Sequence, residues 1–114
     1  MIREIKTAED FRSEVLEPKG VTIVDFFADW CRPCKFMAPT IEAAAENLEG
    51  KVRFCKLNTA EFGEAADHFN ITGIPTCIIF TDGKETGRII GYRDKNAFME
   101  AVEQEMESNQ KTTE

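Results

Sequence analysis

The sequence predicts an α/β domain: a mixed sheet of about five strands with helices on both faces. Three observations carry this. Short runs of β-branched and aromatic residues recur along the chain, stretches with helical apolar spacing separate them, and an Asp-Gly pair joins the last two runs.

"IREIK" (2–6) is a short first strand. Thr7 is placed to cap a helix that turns Phe11, Val15 and Leu16 inward. "VTIVDFFA" (21–28) is nearly continuous in apolar residues, the pattern of a central strand covered on both faces. Met37, Ile41, Ala45 and Leu48 then recur at helical spacing, with Gly50 as a stop. "VRFCKLN" (52–58) is a third strand, and a helix over about 61–69 follows it. "TCIIF" (76–80) and "GRIIGY" (87–92) are the last strands, joined through Asp82-Gly83 as a hairpin. Asp94 opens a final helix with Ala97, Phe98, Ala101 and Val102 as its apolar stripe. Strands separated by helices are expected to pair in parallel, and the hairpin adds an antiparallel pair. Residues 1–107 make one domain, and 108–114 have nothing to bury and are expected to be a disordered tail.

At 114 residues the chain can bury a core without staples. Its net charge of −7 argues against nucleic acid as a partner, since phosphate binding needs a basic footprint. No stretch approaches the ~18 apolar residues that span a bilayer. The charged N-terminus lacks the apolar middle of a signal peptide, so a cytoplasmic location is expected, where thiols stay reduced. Four cysteines in that setting point to redox catalysis or to metal.

Cys31 and Cys34 follow a buried strand and open a helix. The unpaired N–H groups and partial positive charge of a helix start stabilise a thiolate, so Cys31 is expected to be acidic and nucleophilic. Cys34, one turn in, can reach it to close a disulfide. Pro33 falls where the helix does not yet need its N–H. A zinc site drawing on all four thiols is the alternative, but Cys55 and Cys77 lie in separate apolar strands and read as small core residues. Asp25 lies on the same strand face as Ile23 and Phe27, so it points inward. A buried carboxylate holds its proton more tightly, and near a dithiol it can take the proton that Cys34 must lose. Satisfaction by local hydrogen bonds alone is the structural alternative.

"VDFFADWCRPCK", "KLN" (56–58), "GIPT" (73–76) and "DGK" (82–84), in this order and spacing, resemble the thioredoxin family over about residues 2–105. The resemblance implies the thioredoxin fold and a protein dithiol–disulfide oxidoreductase in which Cys31 attacks and Cys34 resolves. It implies a docking surface of Trp30, Gly73, Ile74, Pro75 and Gly91, a cis bond before Pro75, and a lysine, Lys56, near Asp25. It implies no cofactor beyond the Cys31–Cys34 disulfide, with a thioredoxin reductase and disulfide-containing proteins as partners of a monomer. Arg32 departs from the glycine common in the family. Its charge is expected to favour the Cys31 thiolate slightly, which leaves open a protein tuned to oxidation or isomerisation. A binding subunit without turnover is a further alternative.

Overall fold

A computed structural model describes the backbone of residues 1–112 and the side chains of residues 1–108. The elements run β1 (Ile2–Glu4), α1 (Ala8–Phe11) with a π-helical continuation (Arg12–Leu16), β2 (Val21–Phe27), α2 (Arg32–Asn47), β3 (Val52–Asn58), α3 (Gly63–His68), β4 (Thr76–Thr81), β5 (Lys84–Ile90) and α4 (Lys95–Thr112). The sheet order is β1-β3-β2-β4-β5. β2 is central, parallel to β3 on one side and antiparallel to β4 on the other.

Alternation along the strands sorts the core into two layers. Ile23, Phe54, Cys77 and Ile79 pack with Met37, Ile41 and Ala44 of α2 and with Phe98 and Val102 of α4. On the other face Val24, Phe26, Cys55, Leu57, Ile78 and Phe80 pack with Phe11, Val15 and Ala65. The near-continuous apolar run of β2 thus feeds both layers.

The expectation of parallel pairing fails at β4, and α3 explains why. A parallel crossover must carry the chain back along the strand, about 23 Å for the seven residues of β3. The six residues of α3 rise only about 9 Å. The chain therefore starts β4 at the end of the sheet where β3 finished, with Thr76 opposite Phe26 and Asn58 opposite Phe27. β5 begins earlier than expected, at Lys84, because the turn uses only Asp82 and Gly83, both at positive φ (52° and 84°). Gly83 also permits a close approach: a Cβ there would lie 2.2 Å from the Leu16 carbonyl oxygen.

Two helix faces differ from expectation. Leu16 is half-exposed, because the π-helical turn, closed by Glu17 N–H to Arg12 O (2.9 Å), carries it past the buried face of Phe11 and Val15. Ala97 is exposed in the first turn of α4, its N–H held by Asp94 Oδ1 at 2.9 Å; Met99 and Met106 join the stripe instead. No glycine or proline interrupts the chain after Asp94, and the α4 backbone continues as helix through Thr112. Residues 113–114 lie outside the described residues.

Thr7 caps α1 as expected. Its hydroxyl accepts from Asp10 N–H at 3.0 Å, and Asp10 Oδ2 accepts from Thr7 N–H at 3.2 Å, a reciprocal capping box. Thr7→Ala is expected to lower stability by about 1 kcal/mol, about 4 °C in thermal midpoint, and Thr7→Ser to restore it. An unchanged midpoint in the alanine variant would show that the box contributes nothing.

Candidate active site

Where β2 gives way to α2, Cys31 becomes the helix N-cap with extended backbone (φ −86°, ψ 110°), and Pro33 falls within the first two helical positions. Cys34 N–H donates to Cys31 Sγ at 3.2 Å. The two cysteines are bonded as a disulfide across a Cα–Cα distance of 5.3 Å. An orphan N–H of the helix start thus lies against the Cys31 sulfur.

The two sulfurs face different surroundings. Cys31 lines an open cleft of about 450 Å³ together with Trp30, Arg32, Pro33, Gly73 and Ile74. Its Sγ lies 3.7 Å from the Ile74 carbonyl oxygen. Cys34 lines a separate, smaller cleft of about 170 Å³ with Asp25, Asp29, Lys35 and Lys56. Cys31 therefore belongs to the larger, open cleft, and Cys34 to one it shares with a carboxylate.

The opposite wall of the Cys31 cleft is built by the loop before β4. The Ile74–Pro75 bond is cis. Thr76 Oγ1 donates to Gly73 O at 2.6 Å, and Gly91 N–H donates to Pro75 O at 2.8 Å, tying the loop to the end of β5. Trp30 is 75% exposed, a large apolar side chain left in water beside the thiols. Of the expected docking residues, Trp30, Gly73 and Ile74 line the cleft; Pro75 is buried beneath it, and Gly91 is joined to it through the Pro75 carbonyl.

Asp25 faces the α2 side of the sheet, half-buried. Its cross-strand neighbours are Lys56 on β3 and Cys77 on β4. Burial pushes its pKa from 3.8 up to about 6; a hydrogen bond from Cys77 and the charge of Lys56 oppose the rise. Lys56 is exposed, with Nζ 5.9 Å from the centroid of the Phe27 ring. Asp25, Lys56 and Cys34 line one cleft; the sequence did not point to Cys77, whose Sγ lies 3.9 Å from Asp25 Oδ1. The only hint was a cysteine on the neighbouring strand, and its register could not be read without the direction of β4.

The four-thiol alternative has no geometric basis. Cys55 and Cys77 belong to opposite layers of the core, and Cys31 is bonded to Cys34. Among the described residues no group of three or more His, Cys, Asp or Glu is disposed to hold a metal.

A helix-capping Cys-x-x-Cys pair that closes a disulfide at the end of a central strand defines a dithiol–disulfide oxidoreductase. Residues 3–104 match the Thioredoxin family model. The chain is 37% identical over 100 residues to a thioredoxin of Staphylococcus aureus and 34% identical over 100 residues to thioredoxin 1 of Nostoc sp.. Each alignment covers 88% of this chain and 94% of the relative. The chain belongs to the thioredoxin family.

Proposed function

We propose that the protein reduces protein disulfides in the cytoplasm as a monomer, with Cys31 as the attacking thiol, Cys34 as the resolving thiol and Asp25 as the proton acceptor. The observation that carries these roles is the asymmetry of the two clefts. Cys31 opens toward the substrate-sized surface, whereas Cys34 shares its cleft with Asp25.

The Cys31 thiolate attacks one sulfur of the substrate disulfide, forming a mixed disulfide and releasing the other substrate sulfur as a thiolate. Cys34 then loses its proton to Asp25, directly or through water in the shared cleft, and attacks Cys31 Sγ. The second substrate sulfur leaves as a thiolate, and the protein retains the Cys31–Cys34 disulfide. Two electrons have passed to the substrate. A thioredoxin reductase returns the disulfide to the dithiol, so no cofactor resides in the protein. Trp30, Gly73, Ile74 and Gly91, with Pro75 shaping the loop from beneath, hold an extended substrate segment by strand addition. Lys56 favours the ionised carboxylate, and Pro33 fixes the first turn of α2.

Mixing the protein with a thioredoxin reductase, its electron donor and a disulfide-containing protein tests the reading. Sustained consumption of the donor with release of substrate thiols is expected. Binding without consumption would favour a non-turnover subunit, and net oxidation of a dithiol substrate would favour the oxidising alternative.

Arg32 bears on the second of these. It lines the cleft beside Cys31 and is exposed, so its field is screened and favours the thiolate by about 0.5–1 kcal/mol. Removing a charge that favours the reduced form lowers the potential. Arg32→Gly is therefore expected to be more reducing by roughly 10–20 mV, less in high salt. Equilibration with a glutathione buffer measures this, and a shift toward oxidation would contradict the electrostatic account.

A further inference from the structure

Cys77 is fully buried in β4, directly across the antiparallel pair from Asp25, with its Sγ 3.9 Å from Asp25 Oδ1. Packing alone asks only for a small apolar side chain at this place. A thiol adds one property, a weak S–H donor, and here the donor faces a carboxylate. Burial pushes the Cys77 thiol well above its ordinary pKa, so it keeps its proton at neutral pH and remains a donor.

We propose that Cys77 is a positioning residue: its S–H donates to Asp25 Oδ1 and sets the orientation and proton affinity of the carboxylate that serves Cys34. The proposal rests on the reading of Asp25 as proton acceptor. Other titratable or charged groups also face this carboxylate. Lys56 approaches from β3, Cys34 and Lys35 from α2, and Asp29 from the segment after β2. Cys77 is the one from β4. Lys56 and Cys77 both favour the ionised form, but they differ in kind. Lys56 is exposed, so its influence falls with salt; Cys77 is buried, and its hydrogen bond does not. The carboxylate thus has one salt-sensitive and one salt-insensitive partner.

The Asp25 carboxyl carbon can be titrated by NMR in the original protein, Cys77→Ala and Cys77→Ser, at high salt. Single-turnover rates of the resolving step across the same pH range accompany the titration. Loss of the donor in Cys77→Ala is expected to raise the Asp25 midpoint by about half a unit, a threefold change in proton affinity. Cys77→Ser, which keeps a donor of similar size, is expected to bring it back to the original value or below. Cys77→Val, which fills the site against water, carries the same expectation as alanine and substitutes for it if the smaller side chain impairs folding. The pH profile of the resolving step is expected to move with the midpoint. A midpoint that stays put in folded Cys77→Ala and Cys77→Val overturns the coupling. A midpoint that moves while the resolving step does not follow overturns the assignment of Asp25 as acceptor, and the positioning role with it.

Discussion

Cys34→Ser is expected to turn the protein into a trap: incubated with a disulfide-containing protein, it should accumulate a stable mixed disulfide through Cys31, with turnover at background. The attacking sulfur is intact in this variant, still at the N-cap of α2 and still lining the open cleft. What is lost is the second thiol, so the mixed disulfide has no intramolecular exit. Cys31→Ser is expected to fall to the same background turnover while trapping far less. Its remaining thiol belongs to a residue that lines the smaller cleft with Asp25 and lies within the first turn of the helix. Both residues are nearly buried, Cys31 at 4% and Cys34 at 7% exposed, so exposure alone does not assign the roles. The proposed roles rest instead on the different cleft that each residue lines. Non-reducing electrophoresis with mass identification of the cross-linked cysteine reads the outcome, and equal trapping by the two variants would reject the assignment.

The part of this site that was legible in the sequence is local. A continuous apolar strand, a Cys-x-x-Cys pair and an apolar helical stripe are adjacent in the chain, so β2, α2 and the cysteines could be placed without knowing the rest of the fold. Alternation put Asp25 on the inward face with Ile23 and Phe27 for the same reason. Lys56 and the loop around Pro75 could be brought to the site only through family resemblance, because their proximity depends on how β3 and β4 pair with β2. The direction of β4 turned on how the chain runs between β3 and β4, where the six-residue α3 is too short to carry it back along the sheet. With that direction unread, the pairing of Asp25 with Cys77 was out of reach. The faces of Leu16 and Ala97 failed for a smaller reason: regular periodicity does not foresee a π-helical turn or an exposed first turn.

Asp25→Asn is expected to separate two roles of one side chain, slowing catalysis while raising stability. With a pKa of about 6, Asp25 is mostly ionised at pH 7 and can take the Cys34 proton; below about 6 it already holds one. The resolving step of the original protein should therefore weaken as pH falls through about 6. Asparagine cannot accept the proton at any pH, so that limb should vanish and the rate at pH 7 fall on the order of 100-fold. Stability moves the other way. Below pH 3.8 the carboxyl is protonated in both folded and unfolded chains and contributes nothing. Between 3.8 and about 6 the unfolded chain has lost the proton that the folded chain keeps, so stability falls with rising pH. Above about 6 the full cost is present, about 3 kcal/mol for a shift of roughly two units. Asparagine removes the charge but still has an amide to satisfy in a half-buried place, so a gain of about 1–2 kcal/mol at pH 8 is expected, shrinking toward zero near pH 4. Denaturant unfolding at both pH values and single-turnover kinetics across pH 5–9 (bracketing the carboxyl and thiol titrations) measure the two effects. Unchanged kinetics beside the expected gain in stability would leave Asp25 a structural residue and return the proton of Cys34 to solvent.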